Sequence, residues 1–492
     1  LSGIGGRDLR VLDEADWAAG GRPATNRHGF SLKPHLGNAM QVAQTRITGK
    51  ETRPQLVTEL PGPKTRAIVE RDDRYLVTTT KTAPVTAVTG RGVVVEDADG
   101  NILLDFASGI GVLNTGHCHP RVVQAVQDQA ARLMHFAGTD FYYEEQARLA
   151  ERLSGIVPIE GESKVFFCQS GTEANEAAIK VAKHHGGRPL FLAFIGAFHG
   201  RTQGALSLTA SKIRHKEGFF PTMPGVFHAP FPNPFRNIWH IDGYEEPEEL
   251  ANRAIESIEV LFETLMPPHD TAAVFWEPVQ GEGGYVVPPK QFPVMLRKLC
   301  DEHGILLAAD EVQTGFGRTG KWFATEHFGI RADIVAMAKA MGSGFPIGAC
   351  AVRKDLDFRE KGKHSNTYGG NLVGCAASLA TLDVLQDERL VENAAKMGVH
   401  LQKRMDELRD GHKAIGDHRG LGLMRAFEFV GKGRVPDPKV RDAVEQAAWK
   451  RGLILLACGK SSLRVIPSLN VNREQVDGAM DVLGEALKAS KA

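Results

Sequence analysis

The chain has 492 residues, with 59 Lys plus Arg against 59 Asp plus Glu, so its formal net charge is zero. That balance excludes the basic footprint of a nucleic-acid-binding protein and any pull toward an anionic membrane surface. With 42% hydrophobic and 24% charged residues it has the make-up of a globular protein. Its length points to about two or three domains, and no apolar run is long enough to span a bilayer.

Residues 1–45 are rich in Gly, Arg, Asn and Pro without a sustained apolar period. They are expected to be a disordered extension, and they lack the apolar centre of a secretory signal. Pro61-Gly62-Pro63 then punctuates the approach to a short helix at Arg66–Arg71. Val93–Glu96 and Ile102–Leu104, flanking the turn Asp97–Asn101, read as a hairpin. The Gly-rich loop Ser108–His117 leads to a helix starting near Pro120. From there to about residue 375 strands and helices alternate, the pattern of a parallel or mixed α/β sheet. The six cysteines (118, 168, 300, 350, 375 and 458) show no CxxC spacing. They read as buried, reduced thiols of a cytosolic protein.

Several apolar runs stop at chemically pointed residues. Val165–Cys168, read as a buried strand, gives way to Ser170-Gly171-Thr172-Glu173-Ala174-Asn175-Glu176 and then a helix. A strand, a small-residue turn and a helix N-terminus make an anion site, although Ser170 and Glu173 also fit a simple capping box. Leu190–Ile195 runs into Phe198-His199-Gly200-Arg201. There an aromatic ring could lie on a planar cofactor and a guanidinium could take a carboxylate. Residues 232–270 are Pro-rich and then amphipathic from Pro247 to Leu265, which reads as a surface insertion. Ala272–Trp276 ends in Glu277-Pro278-Val279-Gln280-Gly281-Glu282, whose carboxylates need partners if buried.

Ile305–Ala309 stops at Asp310-Glu311, and Ala336–Met341 carries one lysine, Lys339, beside a sharp Gly/Pro turn. Alone these could be a solvated acidic loop and a snorkelling lysine. Together they suggest pyridoxal phosphate chemistry. A desolvated lysine can hold a carbonyl cofactor as a Schiff base, and a buried Asp310 would keep the ring nitrogen protonated, with Gln313 at the ring hydroxyl. Further on, Asn366–Asn371 precedes a helix at Leu372–Leu385. Helices follow at 390–409 and 439–451, and strands at Leu421–Phe429 and Leu453–Leu456. Arg464, among apolar neighbours, is expected to point inward to an acidic partner.

The order Ser170–Glu176, Phe198–Arg201, Glu277–Gly284, Asp310–Gly315, Lys339 and Thr367–Asn371 resembles the class III pyridoxal-phosphate aminotransferases of fold type I. The resemblance runs from about Arg66 to near the C-terminus. It implies an α/β fold with a large domain on a mixed, mostly parallel sheet and a smaller α+β domain. On that basis 46–109 begin the small domain, 110–375 form the large cofactor-binding domain and 376–492 complete the small one. Lys339 and Asp310 are implied as the catalytic pair. Gly171, Thr172, Phe198, His199, Glu277, Asp310, Gln313, Lys339 and Thr367 are implied as cofactor contacts, with no metal. In the family the residue matching Thr367 reaches the neighbouring subunit's cofactor, which implies a homodimer with shared active sites.

Within the family the likeness is to 4-aminobutyrate aminotransferases. Ile110 would line the pocket, Arg201 would bind a substrate carboxylate, and Glu282 and Arg464 would form a switch. Glu282 neutralises Arg464 with an ω-amino acid bound, and swings away when a 2-oxo dicarboxylate brings its own α-carboxylate. The implied activity is cytoplasmic, ping-pong transfer of an amino group from an ω-amino acid to 2-oxoglutarate. The Pro61–Pro63 segment and residues 232–270 also resemble archaeal-type relatives. Some of those are amino-acid racemases or act on ornithine, acetylornithine or lysine, so these stand as alternatives.

Overall fold

The structure, a computed structural model, describes residues 46–490; the expectation for residues 1–45 lies outside them. A helix at Pro63–Tyr75 contains the expected one and extends it at both ends. Strands β1 (Thr89–Arg91), β2 (Val94–Glu96) and β3 (Ile102–Asp105) form an antiparallel meander. The expected hairpin is in register, with Val94 opposite Leu104 and Val95 opposite Leu103.

The central sheet is built from β4 (Ser163–Cys168), β5 (Leu190–Phe194), β6 (Val226–Ala229), β7 (Thr271–Trp276), β8 (Leu306–Asp310), β9 (Ile334–Met337) and β10 (Gly348–Arg353). Their order is β4-β10-β9-β8-β7-β5-β6, and only β10 runs against the rest. Alternate residues of each central strand feed opposite faces. Phe191, Ala193, Ala273, Phe275, Leu306 and Ala308 pack under the Ala-rich helix Gly171–Gly186. Leu192, Phe194, Val274, Trp276, Leu307 and Ala309 pack into the larger core on the other side. Burial on both faces is why these strands read as unbroken apolar runs. β4 departs from that expectation, since it is an edge strand with Val165 and Phe166 only half-buried.

Residues 232–270 are not a surface insertion. The helix Pro247–Thr264 crosses over between β6 and β7 and buries Leu250, Ala251, Ala254, Ile255, Ile258 and Phe262. Its approach is pinned by charge. Arg236 meets Glu428 at 2.7 Å, and the Tyr244 hydroxyl donates to Asp417 at 2.9 Å.

The C-terminal part has helices at Leu372–Asp387, Leu390–Gly411, Pro438–Trp449 and Arg473–Ala489. Its strands are β11 (Ile415–Leu421), β12 (Met424–Phe429), β13 (Leu453–Ile454), β14 (Leu456–Cys458) and β15 (Ser462–Val465). The segment expected as one strand from Leu421 to Phe429 is the second arm of a hairpin folded at Gly422. An antiparallel sheet forms in the order β11-β12-β15-β14, while β13 pairs parallel with β3 and so completes the first sheet. The terminal helix, absent from the sequence reading, is capped by Asn472 and Gln475 acting reciprocally. No helix among the described residues is long and apolar enough to cross a membrane. All six cysteines are free; five are buried as expected, but Cys118 is exposed, in a left-handed surface turn with φ of 49°.

Candidate active site

Six strands of the central sheet point the same way, and the segments leaving the carboxyl ends of five of them, β4, β5, β7, β8 and β9, meet along one edge: 169–172, 195–201, 277–284, 310–313 and 338–339. This is where an open α/β sheet binds its ligand, and it is where the sequence carries its polar motifs.

Asp310, the last residue of β8, is buried. Its Oδ2 accepts from His199 Nδ1 at 2.7 Å and from Asn175 Nδ2 at 2.8 Å, and its Oδ1 accepts from the Val312 amide at 3.0 Å. Burial pulls the His199 imidazole down, but the hydrogen bond and charge of Asp310, with Glu277 behind it, prevail and hold its pKa above the usual range. Neighbouring Glu311 is spent structurally. It takes the Thr314 hydroxyl and the amides of Ala324 and Thr325.

Glu277 is buried at the end of β7, where its two oxygens accept from the amides of Phe198 and Gly281, both at 2.7 Å. Desolvation, with Asp310 nearby, lifts its pKa to about 7. The native state therefore holds a proton that the unfolded chain releases near 4.5, and stability falls as pH rises from 4.5 to about 7. Glu277→Gln is expected to flatten that fall while lowering the plateau, since an amide accepts only one of the two N–H groups. Thermal midpoints measured across this pH range check it, and an unchanged slope would contradict the assignment.

Lys339 lies just beyond β9 with φ of +44°, a left-handed backbone that costs a non-glycine residue about 1 kcal/mol or more. Burial lowers the pKa of its amine, against the opposing charges of Asp310, Glu277 and Glu282. Asp310, Glu277, Glu282 and Arg464 are thus the charged groups that act on the Lys339 amine.

At the head of the helix Gly171–Gly186, Ser170 caps Glu173 as expected, and the Glu173 carboxylate also accepts from the Gln169 amide at 3.0 Å. Gly171 is required by close approach, because a Cβ there would stand 2.6 Å from Val312 Cγ1. The Thr172 hydroxyl sits 2.8 Å from that of Thr202. Phe198 is half-buried, edge-on to His215 at 5.6 Å, with the exposed Arg201 guanidinium 5.4 Å over its ring. Gln313 lies between the loop at Gly111 and Gly281, and its buried Oε1 has no hydrogen-bond partner among the described residues. A buried carboxylate, a depressed amine, an aromatic face, a capped helix N-terminus and an unpaired amide oxygen fit the polar atoms of pyridoxal phosphate.

The substrate side is built from more distant pieces. Ser108, Gly109, Ile110 and Gly111 all have positive φ, forming a left-handed turn that leaves the Ile110 side chain exposed. The fully buried Arg318 braces it, donating to Asn114 Oδ1 and to the carbonyls of Leu423 and Pro467. Arg464, on β15, is buried and donates to Glu282 Oε2 at 2.8 Å and to the Ala457 carbonyl at 2.8 Å. Its guanidinium stands 5.9 Å from the Tyr285 ring. The inward orientation and the acidic partner expected of Arg464 are both present. Arg419 donates to Gly284 O at 2.9 Å and pairs with Asp417 and Glu428, anchoring the Glu282 loop to the C-terminal sheet. Thr367 is exposed. Asn175 lies inside the Ser170–Glu176 motif, whereas Tyr285, Arg318 and Lys212 carry no local signal in the sequence.

Residues 76–487 match the family model described as aminotransferase class-III. The chain is 41% identical to an alanine/serine racemase from Pyrococcus horikoshii, over 88% of this chain and 93% of that protein. It is 39% identical to an acetylornithine aminotransferase from Methanosarcina mazei, over 85% and 96%. It is 37% identical to a 4-aminobutyrate aminotransferase from Mycobacterium leprae, over 90% and 99%. Among solved structures it resembles a PLP-bound amine transaminase from an uncultivated Pseudomonas species, with a TM-score of 0.78, 29% identity and coverage of 84% and 98%. The chain therefore belongs to the class III aminotransferase family of pyridoxal-phosphate-dependent, fold type I enzymes.

Proposed function

We propose that the protein transfers the amino group of an ω-amino acid of the 4-aminobutyrate type to 2-oxoglutarate, in two half-reactions at one site. The observation that carries this reading is the 2.8 Å Glu282–Arg464 pair, buried in the same neighbourhood as Lys339, with a second guanidinium, Arg201, exposed over Phe198. A pocket that takes two substrates of different charge needs one fixed cation and one that can be neutralised on demand. Arg201 serves as the first and Arg464 as the second. The Mycobacterium leprae relative, 37% identical over nearly its whole length, supports the substrate class.

Pyridoxal phosphate, when bound, supplies the carbonyl carbon that takes the amino group and a ring that withdraws electrons. Asp310 would hold its ring nitrogen, Gln313 its ring hydroxyl and Phe198 its face. Gly171 and Thr172, at a helix N-terminus, would hold its phosphate, with His199 and Glu277 behind the ring. Lys339, whose amine pKa burial lowers, would take a proton from the amino-bearing carbon of the donor in the first half-reaction and deliver one to the carbonyl carbon of the 2-oxo acid in the second. Ile110 narrows the cleft around the hydrocarbon part of the donor.

A homodimer with shared sites belongs to the same proposal. Thr367 is exposed beside Tyr368, and Met134, Phe136, Phe141 and Tyr142 add apolar surface that a second copy of the chain would cover. So does the division into a large part, 110–375, and a smaller one from 46–109 and 376–492, which the three sheets support. The free thiols support a cytoplasmic setting.

Purified protein given 4-aminobutyrate and 2-oxoglutarate is expected to form glutamate. The racemase at 41% identity favours a second reading, in which the proton returns to the opposite face. D-alanine or D-serine appearing from the L-amino acid without a 2-oxo acid, and no glutamate from 4-aminobutyrate, would establish that instead. Glu282→Ala is expected to slow the 4-aminobutyrate half-reaction about tenfold to a hundredfold, because Arg464 is left buried and unpaired. The glutamate half-reaction should change far less, and equal losses would contradict the switch.

A further inference from the structure

Glu282 does not face Arg464 alone. Its Oε2 takes Arg464 Nη2 at 2.8 Å, while its Oε1 takes Lys212 Nζ at 2.5 Å, so one carboxylate bridges two cations. Lys212 precedes the single helical turn Ile213–His215, whose His215 packs edge-on against Phe198, so the segment is part of the cleft wall. The three side chains differ in exposure: Arg464 is 7% exposed, Glu282 19% and Lys212 24%. Arg464 therefore lies at the inner end of the triad and Lys212 at the outer end.

From this arrangement we infer that Lys212 is a positioning residue that holds Glu282 when it leaves Arg464, and so sets how readily the site accepts a dicarboxylate. The inference rests on the switch proposed above. An acid released from a buried arginine needs either water or another cation, because an unpaired carboxylate in this setting is costly. Lys212 already holds the opposite oxygen, so Glu282 can give up Arg464 by rotating about a contact it keeps. Charge counting agrees. With a dicarboxylate bound, Lys212 balances Glu282 while Arg464 balances the substrate's α-carboxylate. With a monocarboxylate ω-amino acid bound, Glu282 lies between both cations and Lys212 is not needed. Removal of Lys212 should therefore act opposite in selectivity to removal of Glu282.

The test uses holoenzyme. Lys212→Met keeps the aliphatic stem, and thermal midpoint and cofactor content report whether the variant folds and loads. It is expected to raise the KM for 2-oxoglutarate, and its dissociation constant by calorimetry, about tenfold or more, with the KM for 4-aminobutyrate within about threefold. Lys212→Arg should restore most of the loss. In a Glu282→Gln background, where no carboxylate needs holding, Lys212→Met should add no selective effect. Equal changes in both half-reactions, an undiminished effect in the Glu282→Gln background, or no rescue by arginine would each overturn the inference while leaving the functional reading intact. Wild-type protein that makes no glutamate from 4-aminobutyrate and 2-oxoglutarate overturns that reading and this inference with it.

Discussion

Lys339→Ala is expected to lower turnover about ten-thousandfold, because in the proposed mechanism one residue would both tether the cofactor and move the proton. Burial lowers the pKa of the amine, while the negative charges of Asp310, Glu277 and Glu282 oppose that shift. Alanine removes the amine and leaves no other lysine beyond β9 before the chain turns back into β10. Two measurements separate the roles. Initial rates report the proton transfer, and borohydride treatment followed by peptide mass analysis reports covalent attachment at position 339. Attachment and activity should disappear together. Activity that survives without attachment would assign the proton transfer to another base.

Asp310→Asn is expected to cost about a thousandfold in kcat, of the order seen when one preorganised charge contact is lost from an active site. The amide is nearly isosteric, so the reason is not shape. Both carboxylate oxygens of Asp310 already accept N–H groups: Asn175 and His199 on Oδ2, Val312 on Oδ1. Whichever way the amide turns, its NH2 faces a donor, and it carries no charge to hold a protonated ring nitrogen. The His199 pKa, raised above its usual range by Asp310, should drop in the variant, which NMR titration of the imidazole measures. A variant with wild-type kcat and an unmoved His199 would remove Asp310 from the mechanism.

The parts of the site legible in the sequence share one physical cause. Parallel strands buried on both faces must be apolar along their length, so the first polar residue after each run marks the ligand edge of the sheet. Asp310 and Glu277 stand out for that reason, and Gly171 because the backbone there must pass close to Val312. Arg464 was legible because a guanidinium among apolar neighbours needs a partner. Lys212, Tyr285 and Arg318 were not legible. Each acts across a long stretch of sequence, Lys212 on Glu282 and Arg318 on residues near 114, 423 and 467, and nothing in their local sequence records that. The helix Pro247–Thr264 reads as an insertion because amphipathic periodicity and a Pro-rich approach do not say how deep the apolar stripe sits, and here it fills the core. β4 departs in the opposite way, since Val165 and Phe166 read as interior residues while the strand sits at an edge and leaves them half-buried.

The turn Ser108–Gly111 winds against the handedness that L-residues prefer, and two of its four residues are not glycine. Ile110 is the stranger of them, a β-branched side chain in that conformation and largely in solvent, where it contributes little to packing. Neither backbone preference nor core burial accounts for isoleucine at this position. The proposed place of Ile110 beside the substrate would account for it, since its exposed side chain leaves core packing with little hold on what stands there. On the proposed reading, 110 would then be a position where donor preference can be redirected by design while Asp310 and Lys339 stay fixed.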